Sequence, residues 1–284
     1  MRPARLRDAV PFLAMVSAAC SPLNMFDRFV PKDGGGRKVA TVRYADGPMG
    51  MLDVYVPKQT SAAPRPVIVF FYGGSWQWGD RHPYTFVGKA LAARGFVTII
   101  PDYRKVPEVR YPGFVEDGAA AVRWARAHAK DYGGDGERIV LAGQSAGAYI
   151  AAMLAVDGRW LGRDRAAVRG LVGLAGPYDF APFTTDAGRA AFGAWPRPAE
   201  TQPVTHADAD APPALLLTGD ADDIVRPRNS QALAAPLRKA GVRAEVKTYP
   251  GIGHIGILTA IARPLRGKAP VLADMTRFAD EVTR

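Results

Sequence analysis

A chain of 284 residues, 48% of them hydrophobic and 10% aromatic, can bury one large core, which excludes a disordered or fibrous protein. Its formal net charge of +10 would suit nucleic acid or an anionic membrane, but the arginines are scattered among Asp and Glu rather than gathered in one block. The charge therefore reads as solvated surface, and no nucleic-acid partner is expected.

The first predicted element is a leader. Arg2, Arg5 and Arg7 precede an apolar run over residues 9–19 that ends in the small residues Ser17-Ala18-Ala19. This is the build of a secretory signal peptide over residues 1–19, too short for a standard membrane span. The only cysteine, Cys20, follows at once, an arrangement that resembles a bacterial lipoprotein signal, although Ser17 stands where leucine is usual. Export is expected, to the periplasm or to a membrane tether through a lipidated Cys20, against the alternative of an uncleaved cytoplasmic leader. A lone cysteine also forms no internal disulfide, so stability must come from packing. Residues 20–38 hold Pro22, Pro31 and Gly34-Gly35-Gly36 and are expected to be a tether. Residues 39–284 are expected to form a single domain.

Residues 39–44 and 51–56 alternate apolar and polar around Asp46-Gly47-Pro48, the pattern of a hairpin with one solvated face. Residues 67–72 are a continuous apolar strand, suited to the middle of a parallel sheet. A helix is predicted over 84–94, a strand over 96–100, and a long alanine-rich helix over 114–130. A short strand at 138–141 leads into Gly143-Gln144-Ser145-Ala146-Gly147 and then an unbroken apolar helix over 148–156. Strands follow at 169–175, 214–218 and 244–249, with helices at 229–240 and 274–283. Alternating buried strands and helices imply an α/β fold with a doubly wound, mostly parallel sheet. Residues 178–212 break that rhythm. With Phe180, Phe183, Phe192 and Trp195 among prolines and polar residues, they read as a small cap insertion over the carboxyl edge of the sheet. Those aromatics either line an acyl or aryl pocket or pack on one another as a minor core.

Strand, G-x-S-x-G and helix together are the layout of a nucleophile elbow, which exposes the Ser145 hydroxyl on a strained turn. A serine hydroxyl is a weak nucleophile and needs a base, and the base needs an orienting carboxylate. In this topology the acid follows the serine and the histidine comes last. His254 lies in the glycine-flanked loop after the last strand, and Asp220, Asp222 and Asp223 compete for the acid role after the strand at 214–218. Of the other histidines, His82 reads as a loop residue near the mouth of the site, and His128 and His206 as structural. At Tyr72-Gly73-Gly74-Ser75-Trp76, adjacent glycines at a strand's carboxyl end leave backbone N–H groups able to receive an oxyanion.

From residue 67 to 256 the chain resembles the α/β-hydrolase superfamily, in particular carboxylesterases of the hormone-sensitive-lipase and feruloyl-esterase-like (BD-FAE-like) groups. The residues that carry the resemblance are Gly73-Gly74-Ser75-Trp76, Asp102-Tyr103-Arg104, Pro107-Glu108, Glu116-Asp117, the elbow motif, Gly219-x-x-Asp222-x-x-Val225 and Gly251-x-x-His254. The resemblance implies an α/β-hydrolase sheet of about eight strands with helices on both faces. It implies a Ser145–Asp222–His254 triad and an oxyanion hole at Gly74, Ser75 and Ala146. It departs at Tyr72, where the family has histidine; the tyrosine either braces the loop or points into the pocket. Tyr72, Trp76 and Gln144 are candidate substrate contacts. The expected activity is serine carboxylesterase on small to medium esters, with no metal and no cofactor. The rivals are a formamidase-like amide hydrolase and a non-catalytic tethered binding protein.

Overall fold

The computed structural model describes residues 22–284, so the leader and Cys20 lie outside the described residues. The sheet has eight strands: β1 (Gly36–Arg43), β2 (Met51–Pro57), β3 (Arg65–Phe71), β4 (Val97–Pro101), β5 (Gly134–Gln144), β6 (Val168–Leu174), β7 (Ala214–Gly219) and β8 (Ala244–Tyr249). Their spatial order is β1-β2-β4-β3-β5-β6-β7-β8. The β1–β2 and β2–β4 pairs are antiparallel and every other pair is parallel. Neighbouring positions along β3, β4 and β7 are buried irrespective of the face they point to, so both faces of the sheet are covered. This is the α/β-hydrolase arrangement expected from the sequence.

The helices that matter for the site are α1 (Pro22–Phe29), α2 (Thr85–Ala92), α3 (Gly113–His128), α4 (Ala146–Val156), α5 (Gly158–Leu161), α6 (Asp186–Phe192), α7 (Arg228–Lys239), α8 (Gly256–Thr259) and α9 (Val271–Val282). Every residue of α4 is buried. A helix apolar all round can only sit in the middle of the core, and that fixes the elbow at its head.

Two local expectations are corrected. The segment expected to be a tether is not one across its described part. Residues 22–29 form α1, and Asp27 is buried, its Oδ1 accepting from Phe86 N at 2.8 Å. The Phe26 ring meets Phe86 edge-on at 5.3 Å. Pro22 opens this helix, where its missing N–H leaves nothing unsatisfied. Gly36 opens β1, and glycine is required there because a Cβ would fall 2.3 Å from the Lys89 carbonyl oxygen. The hairpin also lacks a fully solvated face: β1 is largely exposed, but the interior of β2 is buried because β4 flanks it.

Residues 178–212 contain α6, two short 3-10 turns (Pro198–Thr201 and Pro203–Thr205) and no strand. Thr185 caps α6 by accepting from Gly188 N at 3.1 Å. The excursion is tied to the body at several points. Tyr149 donates its hydroxyl to the Thr201 carbonyl at 2.7 Å. Gln202 Oε1 accepts from Phe180 N at 2.7 Å, and Asn229 Oδ1 accepts from Tyr178 N at 3.1 Å.

Candidate active site

The elbow's glycines are required by close approach. A Cβ on Gly143 would lie 2.4 Å from the Gly147 carbonyl, and a Cβ on Gly147 would lie 2.1 Å from the Phe71 carbonyl oxygen. Side chains at either place would force β5, β3 and α4 apart. Between them, Ser145 has φ 55° and ψ −123°. Such a conformation is costly for a residue with a side chain, and it persists only where its surroundings impose it.

Among the described residues, four non-glycine residues have positive φ: Ser75, Trp76, Ser145 and Ala175. They follow β3, β5 and β6, three adjacent strands of the sheet. Backbone strain is therefore concentrated at one stretch of the carboxyl edge, around the serine.

Ser145 Oγ lies 2.9 Å from His254 Nε2, and His254 Nδ1 lies 2.8 Å from Asp222 Oδ2. With the ring proton on Nδ1 and donated to Asp222, Nε2 is left to accept from the serine. Asp222 and His254 are both buried. The second Asp222 oxygen accepts from Ile224 N at 3.0 Å and Val225 N at 2.8 Å. This is why an aspartate followed by a turn suits the place: one oxygen holds the loop and the other is left for the imidazole. Of the competing carboxylates, Asp220 accepts from Gly251 N at 2.7 Å and closes the histidine loop, and Asp223 is exposed.

The loop after β3 is held by a buried polar clamp. Arg81 pairs with Asp53 at 3.0 Å through Nε and with Asp102 through Nη1, and its backbone N–H donates to Asp102 at 2.8 Å. Burial opposes ionisation of both carboxyls. Asp53 nonetheless ends below the usual carboxylate range because Lys38, Thr41 and Arg81 all bond it, whereas burial outweighs Arg81 at Asp102 and leaves that carboxyl raised. Tyr72 is fully buried within this clamp. Its hydroxyl lies 3.1 Å from Asp102 Oδ1 and 3.1 Å from Lys105 Nζ, and its ring stacks on Tyr103 at 4.7 Å. Tyr103 in turn donates to the Tyr72 carbonyl at 2.8 Å. Of the two readings of Tyr72, the structure selects the brace; it does not reach the cavity and is corrected as a candidate substrate contact. Gln144 is corrected likewise: it is buried, and its Nε2 donates to the His254 carbonyl at 3.3 Å, so it steadies the histidine loop.

A cavity of about 200 Å³ opens onto Ser145. Ser75, Trp76 and Ala146 line it beside the serine. Gly74 does not; its carbonyl accepts from Gln77 N at 3.0 Å and Trp78 N at 2.9 Å and shapes the turn. Ala146 opens α4, where first-turn N–H groups have no helical acceptor. Of the cap aromatics, only Phe180 reaches this cavity, stacked on Trp76 at 5.7 Å. Phe192 is buried against Trp76 at 4.7 Å, Phe183 stacks on Phe192 at 5.5 Å, and Trp195 meets Tyr111 at 5.0 Å. The cap aromatics thus chiefly extend the main core, with one ring at the pocket.

His82 is exposed and pairs with Asp80 at 2.8 Å; His128 pairs with Asp131 at 3.2 Å. His206 lies 2.7 Å from the Glu200 carbonyl, within the cap. Among the described residues, no group of His, Cys, Asp and Glu could hold a metal ion. Sequence reasoning missed Arg81, Asp53 and Lys105. Arg81 carries no motif, and its partners, Asp53 in β2 and Asp102 just after β4, lie 28 and 21 residues away.

Comparison with known proteins agrees with this geometry. The BD-FAE family model matches residues 52–237. Esterase LipC of Mycobacterium tuberculosis is 32% identical over 239 residues, which is 75% of this chain and 58% of LipC. Probable isoprenylcysteine alpha-carbonyl methylesterase ICMEL1 of Arabidopsis thaliana is 28% identical over 234 residues, 74% of this chain and 49% of the relative. The chain thus spans about half the length of these curated relatives. Among solved structures, propionate-bound esterase 2 of Thermogutta terrifontis superposes with a TM-score of 0.69 at 26% identity, covering 88% of this chain and 94% of that one. A truncated carbohydrate esterase from gut microbiota shares the fold, with a TM-score of 0.77 at 24% identity over 89% of this chain and 99% of that one.

Proposed function

The chain belongs to the BD-FAE family, and on that premise we propose that it is a serine carboxylesterase acting on small to medium carboxylic esters through an acyl-enzyme. The observation that carries the reading is the unbroken Ser145–His254–Asp222 hydrogen-bond chain at the mouth of a cavity. Ser145 Oγ attacks the ester carbonyl carbon while its proton passes to His254 Nε2. Asp222 holds the ring and stabilises the imidazolium. The carbonyl oxygen, now an oxyanion, accepts from the Ser75 and Ala146 backbone N–H groups, each worth about 3 to 4 kcal/mol in the transition state. His254 then protonates the leaving alkoxide, the C–O bond breaks, and an acyl-Ser145 ester remains. Water gives its proton to His254 and attacks that ester, and the carboxylic acid leaves as Ser145 recovers its proton.

The names of the relatives, LipC and ICMEL1, support ester rather than formamide hydrolysis. An intact triad argues against a non-catalytic binding protein. The direct test is Ser145→Ala on a 4-nitrophenyl butyrate assay, with a fluorophosphonate probe in parallel. Turnover should fall by about 10³-fold or more, and labelling should vanish. Labelling that survives the substitution, or activity kept in full, would overturn the assignment.

Export remains part of the proposal. The basic residues, short apolar run and small residues before Cys20 support a cleaved leader, with Cys20 as a lipidated mature N-terminus. Mass analysis of the mature protein tests it: a chain beginning at Cys20 with attached acyl mass is the expected result, and an intact Met1 start overturns it.

A further inference from the structure

A second, larger cavity of about 400 Å³ lies beside the catalytic one without touching Ser145. The two share Pro177, Phe180, Thr185, Ile224 and Val225 as walls, so they are compartments of one cleft. Their chemistry differs. Trp76, Ala146, Phe180 and Ala187 make the inner compartment apolar. The outer one is lined by two guanidinium-bearing residues, Arg226 and Arg228, against a single carboxylate, Asp223.

The cations are uncommitted. Among the described residues many arginines sit in ion pairs, as at Arg81, Arg104, Arg126, Arg159, Arg165 and Arg243. Arg226 and Arg228 are exposed, and neither has an ion pair or side-chain hydrogen bond to another described residue, although Asp223 is three residues from Arg226. Arg228 is the first residue of α7, whose start has no side-chain cap, so the helix adds positive potential at the same wall. Asn229 beside it is already spent, accepting from Tyr178 and Asp179 and donating to the Arg226 carbonyl. Asp223 is exposed and likewise without an ion pair, so two guanidinium groups face one carboxylate and the free charge in this compartment is positive by one.

We infer that the outer compartment is a binding subsite for a carboxylate borne by the substrate, held by Arg226 and Arg228 while the short apolar half of the ester fills the inner compartment beside Ser145. A guanidinium offers a planar fork that matches a carboxylate's two oxygens. The shared Phe180 wall leaves an apolar passage between carbonyl and carboxylate, which suits an aryl or alkyl spacer. The inference rests on the esterase reading of Ser145 and adds the substrate class: a half-acid ester rather than a neutral one.

The test compares isosteric esters that differ only in charge. On the alcohol side, 4-(butyryloxy)benzoate is set against 4-(butyryloxy)benzamide; on the acyl side, the 4-nitrophenyl monoester of glutaric acid is set against that of glutaramic acid. For at least one pair the anionic member should have the higher kcat/KM. That preference should fall about tenfold in Arg226→Gln/Arg228→Gln, as expected for the loss of two exposed charge-assisted contacts together. Because both esters meet the same enzyme sample, a poorly folded variant lowers both rates and leaves the ratio unchanged. The control Arg37→Gln/Arg94→Gln removes equal charge from distant exposed sites and should keep the preference. No preference in either pair, or a preference that survives the Arg226/Arg228 change, overturns the subsite. Calorimetric binding of 4-(butyryloxy)benzoate to Ser145→Ala protein reads the subsite without turnover. Binding that weakens about tenfold on adding the two glutamines supports it even if the esterase reading fails, and binding indifferent to them overturns it.

Discussion

The β3–β5–β6 edge and the cap excursion over residues 178–212 face the same cleft and are built on opposite principles. The edge is held by charge and strain. Four non-glycine residues of positive φ are gathered there, and the loop after β3 is clamped by Arg81 between Asp53 and Asp102. The cap is held by ring stacking and by side chains bonded to backbone, such as Gln202 to Phe180 and Tyr149 to Thr201. Directional bonds in a water-poor interior fix atoms to fractions of an ångström, as a triad and an oxyanion hole demand. Dispersion between rings is broad and tolerates exchange of one side chain for another. The lesson is a division of labour in which the edge sets the chemistry and the cap sets what fits.

The comparison is broken most sharply at Arg81. Arg81→Met leaves the buried Asp102 without its ion-pair partner while Lys38 still holds Asp53 at 2.7 Å, so the free energy of unfolding should drop by about 3 kcal/mol in a urea titration. A loss under about 1 kcal/mol would mean that the clamp does not hold the edge. Phe180→Ala probes the other side. It removes one pocket wall and the Phe180 contacts to Phe183 and Phe192, while those two rings keep each other and Trp195 keeps Tyr111, so KM for a butyrate ester should rise about tenfold with kcat little changed. A fall in kcat at unchanged KM would transfer the cap to the chemistry.

The finest test is Lys105. Burial against Tyr72 and Tyr103 pushes its ammonium down from 10.5 to about 8, although Asp102 pulls the other way. The folded chain has therefore lost a proton that the unfolded chain still holds between these values, and stability must rise with pH across that window. Lys105→Met should flatten the rise, which is at most about 1.4 kcal/mol per pH unit, in melts taken from pH 8 to pH 10. An identical slope in the variant would show that Lys105 is solvated and no part of the edge.

Much of this molecule is legible along the chain because its signals are local. The apolar runs that became β3 and β7 are continuous since both faces are covered, and the glycines at 143 and 147 record two close approaches within five residues. Among its neighbours Asp222 is legible only through the resemblance at Gly219-x-x-Asp222-x-x-Val225, and the structure shows one of its oxygens serving that turn. Helix α1 was hidden by the opposite circumstance: proline and glycine signal chain breaks, yet Pro22 stands at a helix start and Gly36 against a neighbouring carbonyl.

Periodicity and spacing within a few residues suffice for the sheet, the elbow and the order of serine, acid and base. They are silent on Tyr72 turning inward to Asp102, on Gln144 serving the histidine loop, and on most of the cap's rings joining the core, which the packed chain alone reveals. It alone brought Arg226 and Arg228 to the same cleft as Phe180. Those outcomes depend on partners tens of residues apart, whose meeting is set by how strands and helices stack and not by any pattern along the chain.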